Sequence, residues 1–388
     1  MATLEEFNKI LDRVTSGKQT EADIVSLRQL LSAGNERDVV QLGKNIVNIG
    51  QGKDIHIGDR NYQGADAETI RELLQDVLQE YQLLPDKPEP PAQVWRYLHT
   101  FRGHAGAVNA LVIAPDGRTL ISGGDNTINF WRLGTMQFLR ELPKGQKPVT
   151  KLALSSDGQT LLSGSEGGAV KIWQMITGEL LDTLWGIHAG AITALGISSN
   201  GQTLVTASTD RTIKIWNLQT KEAIQTLPSG NTFVNTMAIS PDRPILVTGS
   251  QGGTLKFWDF ETGELLHILA GAHGGSINAL VIRSEPQQLI TGSSDQTIKI
   301  WDFETQELLH TLAQGKTPVI SMAISQDSRT FVSGSEGGTA KFWDLQTREL
   351  LYILTKIHKS AINAIAISPD GQTCVTGSEG GTIKVWRK

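Results

Sequence analysis

The chain has 388 residues, 40 of them glycine, and a formal net charge of −5. This acidic balance gives no reason to expect a nucleic-acid partner. No apolar run approaches the roughly 18 residues that a membrane span needs, and residues 1–6 lack the basic and apolar regions of a signal peptide, so we expect a soluble, cytoplasmic protein with neither nucleic acid nor membrane as a partner.

Helices are predicted at the start of the chain. Thr3 and Glu6 form a capping-box pair before the first helix, and a second short helix follows it. A third helix is predicted over 70–81, where apolar residues recur at helical spacing. A stiff proline-rich linker then covers 85–93. We therefore expect a small, mainly α N-terminal domain over 1–84 that contains short strands.

Between the second and third helices lie three units that read aliphatic-polar-aliphatic-glycine, which predicts short strands separated by glycine turns. The region 38–64 around them resembles the effector-associated domains, small adaptor regions of conflict-system proteins in cyanobacteria and other multicellular bacteria. The first unit also resembles the core of amyloid-type homotypic signalling motifs, which read aliphatic-Gln-aliphatic-Gly. The candidate homotypic residues are Val40, Gln41, Leu42, Gly43, Ile49, Gly50, Ile57 and Gly58.

Two interpretations of the segment 38–64 stay open. In the first, it is a hairpin or three-stranded sheet packed on the helices of an ordinary small domain. In the second, it pairs edge to edge with the same sequence in another protein, which would make that protein a homotypic partner. Seeded fibre formation would support the second interpretation, and a monodisperse fragment that never pairs with itself would support the first.

After the linker, a tryptophan recurs at intervals that alternate between 42 and 43 residues. Around each of the first six tryptophans lie four short segments in which apolar and polar residues alternate, with turn residues between them, which is the pattern of short strands. A period in the low forties predicts the blade of a β-propeller, a sheet that buries its faces against neighbouring blades. The seven tryptophans are Trp131, Trp173, Trp216, Trp258, Trp301, Trp343 and Trp386.

Two short signatures accompany this period. Gly103-His104 precedes the first repeat, and a Trp-Asp pair occurs at Trp258, Trp301 and Trp343. On these residues the chain from 95 to 388 resembles the WD-repeat family. The resemblance implies a mainly β, seven-bladed propeller that docks proteins or peptides and has no catalysis of its own.

The seventh repeat contains only three of the four strands, because Lys388 follows Trp386 by two residues. The segment 94–101, before the first repeat, matches the fourth strand of later repeats. We expect this segment to pair with the strand around Trp386 and to close the ring, since an open sheet edge invites aggregation. The propeller is thus predicted to span 94–388.

Two kinds of blade alternate along the chain. Blades 1, 3 and 5 have a histidine before the first strand and an aspartate six residues before the tryptophan, whereas blades 2, 4 and 6 have neither. The family resemblance implies that these two residues join a hydroxyl of the second strand and the tryptophan in a buried hydrogen-bond chain. Blade 7 is a hybrid, with His358 but no aspartate. The predicted networks are His104, Ser122, Asp125 and Trp131; His188, Thr206, Asp210 and Trp216; and His273, Thr291, Asp295 and Trp301.

Serine, histidine and aspartate together are also the components of a hydrolase triad. The set occurs three times, its serine becomes threonine in two of them, and no oxyanion-hole loop can be named. A structural network is therefore the favoured interpretation. Seven of the eight histidines are spread over the blades and the eighth, His56, lies in the segment 38–64. They are not clustered with carboxylates or cysteine, so we expect no catalytic residue, no cofactor and no metal site.

The residues just before the first strand of each blade ring one end of the channel in WD-repeat proteins. In this chain they are mostly small, with one aromatic side chain and several lysines nearby. We interpret the lysines as a positive rim and the aromatic residue as a binding anchor, with freely varying loop residues as the alternative. The candidate binding residues are Lys147, Phe233, Lys316 and Lys359.

These expectations favour a non-catalytic sensor or scaffold, in which the propeller binds a protein or peptide and the N-terminal domain recruits an effector in bacterial conflict or signalling. The alternative is a regulatory or substrate-docking subunit of a multiprotein enzyme complex. Different partners for the two halves of the chain would favour the scaffold, and one shared complex would favour the subunit.

Overall fold

The computed structural model describes residues 47–49, 55–57, 60–62, 95–313 and 315–388. The chain divides into two units, Met1–Gln93 and Val94–Lys388. The three predicted helices, the predicted linker 85–93 and the candidate homotypic residues 40–43, Gly50 and Gly58 lie outside the described residues.

Three short strands of the first unit form an antiparallel sheet. Val47–Ile49 pairs with Ile55–Ile57, which pairs in turn with Arg60–Tyr62. The first two strands coincide with two of the aliphatic units and contain the candidate residues Ile49 and Ile57. The sequence pattern does not predict the third strand, because that strand is not part of an aliphatic-polar-aliphatic-glycine unit.

The second unit forms seven four-stranded antiparallel sheets, so the prediction of a seven-bladed, mainly β propeller is confirmed. We letter the strands of each blade a to d. The a strands are Val108–Ile113, Val149–Leu154, Ile192–Ile197, Val234–Ile239, Ile277–Arg283, Val319–Ile324 and Ile362–Ile367. The b strands are Thr119–Gly124, Thr160–Ser165, Thr203–Ser208, Ile245–Ser250, Gln288–Ser293, Thr330–Ser335 and Thr373–Ser378.

The outer strands complete the blades. The c strands are Thr127–Arg132, Val170–Gln174, Thr212–Asn217, Leu255–Asp259, Thr297–Asp302, Ala340–Asp344 and Thr382–Arg387. The d strands of blades 1 to 6 are Gln137–Glu141, Leu180–Leu184, Ala223–Pro228, Leu265–Leu269, Leu308–Ala313 and Leu350–Leu354. The a strands of neighbouring blades contact one another around the whole ring, including those of blades 7 and 1.

Each blade buries its apolar faces against its neighbours. Phe130 of blade 1 packs with Trp173 of blade 2 in one buried cluster, and Val108 of blade 1 packs with Val375 of blade 7 in another. A single sheet exposed to water on both faces would lose this burial, which is worth roughly 25 cal/mol per Å² of apolar surface. The closed ring is therefore the stable unit.

The d strand of blade 7 comes from the start of the propeller. Arg96–Arg102 pairs antiparallel with Thr382–Arg387. Trp95, just before it, is buried at 4% exposure and lies 4.6 Å from Phe342 of blade 6, measured between ring centroids. At the other end, Phe101 lies 4.6 Å from Trp131 of blade 1. The closing strand thus contacts the two blades on either side of the one it completes.

Candidate functional site

The linkers from strand d of one blade to strand a of the next meet the b–c hairpins on one rim of the propeller, which we call the linker rim. Backbone hydrogen bonds join six of these linkers to the hairpin of the preceding blade. His188 N donates to Gly168 O at 3.3 Å, and Gly145 N donates to Asn126 O at 2.8 Å. Gly145 therefore has the backbone position in blade 2 that a histidine has in blade 3.

Blade 3 carries a polar network under this rim that joins all four predicted residues. His188 Nδ1 lies 2.9 Å from Asp210 Oδ2, and His188 Nε2 lies 2.9 Å from Thr206 Oγ1. Trp216 Nε1 donates to the same threonine oxygen at 3.3 Å. Thr212, which the sequence analysis does not include, donates its hydroxyl to Asp210 Oδ1 at 2.7 Å.

Blade 5 repeats this arrangement. His273 bonds Asp295 Oδ2 at 2.9 Å and Thr291 Oγ1 at 2.7 Å, and Trp301 Nε1 donates to Thr291 Oγ1 at 2.9 Å. Burial lowers the pKa of His273, although Asp295 acts to raise it. Burial acts to raise the pKa of Asp295, but hydrogen bonds from Thr297 and His273 lower it to about 2. The pair is therefore a neutral imidazole beside an ionised carboxylate at neutral pH.

In blade 1 the hydroxyl is likewise enclosed. Ser122 is 0% exposed, accepts a hydrogen bond from Trp131 Nε1 at 2.9 Å and lies 2.8 Å from His104 Nε2. A hydrolase nucleophile must reach its substrate, whereas this oxygen is buried between an indole and an imidazole. The geometry is that of a structural hydrogen-bond network.

Asp125 departs from the predicted network of blade 1. His104 Nδ1 pairs with Thr127 Oγ1 at 2.9 Å, and Asp125 Oδ2 instead accepts from Gly106 N at 2.8 Å. The physical reason is the length of the b–c hairpin. Gly124 pairs directly with Thr127, which leaves a two-residue turn with a positive φ of 42° at Asp125. This turn directs the carboxylate to the linker backbone.

Blade 7 forms part of a network without an aspartate. His358 lies 2.9 Å from Thr382 Oγ1 and 2.9 Å from Thr376 Oγ1. Burial and the neighbouring charge of Lys384 lower the pKa of His358 to about 4. Trp386 Nε1 is buried and has no hydrogen-bond partner among the described residues. The indole of this blade is therefore held by packing alone.

Every histidine network has one further member that was not predicted, the threonine four residues before the tryptophan. A signal for it exists, because six of the seven blades have threonine at that position and only blade 2 has alanine, Ala169. The four threonines that bond a network histidine are Thr127, Thr212, Thr297 and Thr382.

Blades 2, 4 and 6 have glycine where the network histidine would start. In blade 4, Lys256 Nζ lies 3.3 Å from the position of a Cβ added to Gly230, and in blade 6, Lys341 Nζ lies 3.8 Å from one added to Gly315. In blade 2, the atoms nearest to a Cβ added to Gly145 belong to the backbone of the linker and the hairpin. A strand-c ammonium group therefore lies beside the glycine in blades 4 and 6, but not in blade 2.

A pocket of about 230 Å³ opens beside Gly145 in blade 2. Ser163 and Trp173 line it at the positions of the network hydroxyl and tryptophan, and Trp173 Nε1 donates to Ser163 Oγ at 2.9 Å. Ala169 lines it where the other blades have threonine. The remaining side chains that matter here are Lys147, Lys171 and Trp185.

The four candidate binding residues lie in linkers of four different blades. Lys147 is exposed and lines the blade 2 pocket. Phe233 is half-buried, and its carbonyl accepts from Gln251 N at 3.1 Å. Lys316 and Lys359 are exposed. The structure thus places one of the four in a concave site, together with Lys171, which the sequence analysis does not single out.

The described part of the chain also bears on metal binding, on the cysteine thiol and on membrane-spanning helices. Over residues 95–313 and 315–388, His, Cys, Asp and Glu form no group of three that could hold a metal ion. Cys374 is buried, and burial raises the pKa of its thiol. No helix within the described segments is long and apolar enough to span a membrane.

Comparison with protein families assigns both units. The family profile described as "IFT122 first beta-propeller" matches residues 148–351, more than half of the chain. The profile "WD domain, G-beta repeat" matches residues 95–132 and 348–387. The profile "Effector-associated domain 10" matches residues 1–77.

Individual relatives match over short segments. Human apoptotic protease-activating factor 1 is 32% identical over 24% of this chain and 8% of its own length. An uncharacterized WD repeat-containing protein of Synechocystis, sll1491, is 31% identical over 18% of this chain and 21% of its own. The rat U3 small nucleolar RNA-associated protein 15 homolog is 41% identical over 18% of this chain and 13% of its own length. The chain thus matches only a small part of each relative, and it belongs to the WD-repeat β-propeller family, with an effector-associated domain at its N-terminus.

Proposed function

We propose that this protein is a scaffold or sensor in which the propeller binds a protein or peptide and the N-terminal domain recruits a separate effector. The WD-repeat propeller itself indicates a non-catalytic interaction scaffold. Recruitment of an effector, a role in bacterial conflict or signalling, and a cytoplasmic location are the finer parts of the proposal.

The observation that carries the proposal is the presence of two different modules in one chain. An effector-associated domain profile covers residues 1–77, and the propeller follows as a separate unit, Val94–Lys388. A chain with one module for an effector and another for docking can bring two proteins together without chemistry of its own. The segment 38–64 is the proposed homotypic contact between the N-terminal domain and the effector.

The geometry of the propeller supports the docking half of the proposal. The Ser/Thr-His sets are enclosed within the blades, with the histidines His104, His188 and His273 at 3–4% exposure. A concave feature of the linker rim is the blade 2 pocket, which has an exposed tryptophan, Trp185, beside lysines. Tryptophan is enriched at protein interfaces and at their energetic hot spots.

Two relatives are compatible with this role. One is a WD-repeat protein of a cyanobacterium, the kind of bacterium in which effector-associated domains occur. Another, by its name, activates a protease in apoptosis. By analogy with this second relative, we propose that the effector recruited by this chain is a protease.

Affinity capture with each unit separately tests the proposal. The unit 1–93 and the unit 94–388 serve as baits in lysate of the source organism, and the captured proteins are identified by mass spectrometry. We expect a different partner for each bait. If both baits retrieve the same complex, the chain is a regulatory or substrate-docking subunit instead, and the scaffold proposal is wrong.

A further inference from the structure

In blade 2, the space that a network histidine fills in blades 3 and 5 is an open pocket of about 230 Å³. Three small residues create it, since Gly145, Ser163 and Ala169 stand where blade 3 has histidine, threonine and threonine. Pockets that enclose whole small-molecule ligands span about 300–1,000 Å³. This smaller pocket therefore suits a single side chain of a partner.

The polar groups of the pocket retain unused hydrogen-bonding capacity. Ser163 is 4% exposed, and among the described residues its hydroxyl has one hydrogen-bond partner, Trp173 Nε1. The matching hydroxyl in blade 3 also bonds a histidine. Lys171 Nζ lies 5.3 Å from the centroid of the Trp173 ring. By contrast, the corresponding Lys256 of blade 4 donates to a linker carbonyl. An occupant with acceptor atoms would find both a hydroxyl and an ammonium donor.

The charge of the lining specifies the occupant. Lys147 and Lys171 are the charged side chains in the lining, and no aspartate or glutamate of the described residues joins them. Two ammonium groups at a partly enclosed site favour an anion. Lysine binds both carboxylates and phosphates, but the arginine that binds phosphate bidentately is absent from the described residues of the lining. We therefore take a carboxylate, which needs fewer donors than phosphate, as the match for two lysines and one hydroxyl.

The rim of the pocket offers an apolar contact beside the charged one. Trp185 is 68% exposed although it is a large aromatic residue. An exposed indole next to a charged pocket is suited to hold the residue adjacent to an inserted acid. The two features together fit a peptide segment with an acidic residue and a neighbouring apolar residue.

We propose that the blade 2 pocket is a docking site for an aspartate or glutamate side chain in an acidic segment of a partner protein. The carboxylate lies between Lys147 and Lys171 and accepts a hydrogen bond from Ser163, and an adjacent apolar side chain packs on Trp185. This inference rests on the proposed docking function and adds to it the place and the chemistry of the partner.

Fluorescence anisotropy of a labelled hexaglutamate peptide with the full-length protein tests this site, with hexaglutamine as the uncharged probe. Gly145→His and Ala169→Thr each restore a side chain that blades 3 and 5 possess. A Cβ on Gly145 meets no atom closer than 3.4 Å, so the histidine has room. We expect the wild-type protein to bind only hexaglutamate, and each substitution to weaken binding at least about tenfold.

Charge variants provide an independent measurement. We expect Lys147→Gln and Lys171→Gln each to weaken binding about threefold to tenfold. Lys356→Gln, which changes an exposed lysine outside the pocket lining, is the matched control and should bind as the wild type does. Circular dichroism verifies that each variant is folded, and a variant that unfolds is replaced in the comparison by the others.

Four results would overturn the inference. The first is that the wild type does not bind hexaglutamate at millimolar peptide, and the second is that all three lysine substitutions weaken binding equally. The third is that the folded Gly145→His and Ala169→Thr variants bind as the wild type does. The fourth is that inorganic phosphate displaces the peptide at concentrations where acetate has no effect. The last result would make the pocket a phosphate site.

Failure here is distinguishable from failure of the proposed function. If the full-length protein captures its propeller partner equally well with and without Gly145→His, the docking function stands and this pocket is not its site. If the propeller captures no partner at all, the proposed function itself is wrong.

Discussion

Trp95 and Phe342 pack in a tilted arrangement with 4.6 Å between their ring centroids, which ties the segment before the first blade to the sixth blade. Trp95 is 4% exposed and belongs to a buried cluster that also contains Trp386 of blade 7. The contact lies where the two ends of the propeller meet. The ring is therefore held closed by aromatic packing as well as by the strand pairing between Arg96–Arg102 and Thr382–Arg387.

Trp95→Ala should destabilise the propeller by about 3 to 5 kcal/mol, because it removes a large buried aromatic side chain. Trp185→Ala is the matched control, since that indole is 68% exposed, and it should change stability by less than about 0.5 kcal/mol. Thermal and urea unfolding of the two variants provide the comparison. Equal stability of both variants would contradict a closing role for Trp95.

Asp295→Ala should destabilise more than Asp125→Ala. Asp295 accepts hydrogen bonds from Thr297 and from Gly274 N and contacts His273. Its removal therefore takes one partner from the buried His273 and one from the half-buried Thr297, at about 2 kcal/mol. Asp125 makes no such contact with His104, and its loss should cost about 1 kcal/mol. Urea unfolding of both variants measures the difference. A larger effect at Asp125 would mean that blade 1 forms the full network after all.

The different environments of these two aspartates show what the sequence can predict and what it cannot. Both stand six residues before a tryptophan, so the spacing predicts the same role. The roles differ because the hairpin of blade 1 is one residue shorter between the network hydroxyl and the tryptophan, which rotates the carboxylate. The number of blades was predictable because each tryptophan repeats a buried contact with the preceding blade of the ring. The direction of a side chain in a tight turn depends on the backbone conformation of that turn. The spacing of the tryptophans does not specify this conformation.

No sequence motif predicts the blade 2 pocket, for a related reason. The pocket exists because Gly145 and Ala169 lack the larger side chains that blades 3 and 5 have at these positions. The lack of a side chain does not produce a sequence motif. Lys147 was predicted as part of a rim, but the sequence does not indicate that Lys171 joins it from strand c. Comparison of equivalent positions across the seven repeats would have identified Ala169, because every other blade has threonine there.

Trp386→Phe should cost less stability than Trp301→Phe. Trp301 Nε1 donates to Thr291 Oγ1 at 2.9 Å, whereas Trp386 Nε1 has no partner among the described residues. Both substitutions remove similar volume from a buried site. The difference should therefore be about 1 kcal/mol, the net contribution of one hydrogen bond. Equal losses in chemical denaturation would indicate that Trp386 has a hydrogen-bond partner in solution.

The free energy of unfolding should decrease as the pH falls from about 6.5 to about 4. Burial and Lys384 lower the pKa of His358 to about 4 in the folded protein, while unfolded histidine titrates near 6.5. The unfolded state therefore binds more protons in this window, so acid favours unfolding. At pH 5 this group alone contributes a loss of about 2 kcal/mol.

Urea unfolding across this pH range, with His358→Gln, measures that contribution. The variant should show a weaker pH dependence than the wild type, because one titrating group is gone. His267→Gln, at an exposed histidine of strand d in blade 4, should keep the dependence of the wild type. An unchanged slope for His358→Gln would show that His358 is not the source of the loss.

Cutting the chain between its two units tests the scaffold proposal most directly. A site for a specific protease is inserted in the predicted linker 85–93, the full-length protein is assembled with a partner for each unit, and the products are separated before and after cleavage by size-exclusion chromatography. We predict that one complex containing both partners divides into two, each partner remaining with its own unit. A complex that stays whole after cleavage would contradict the scaffold, because the two units would then share one assembly.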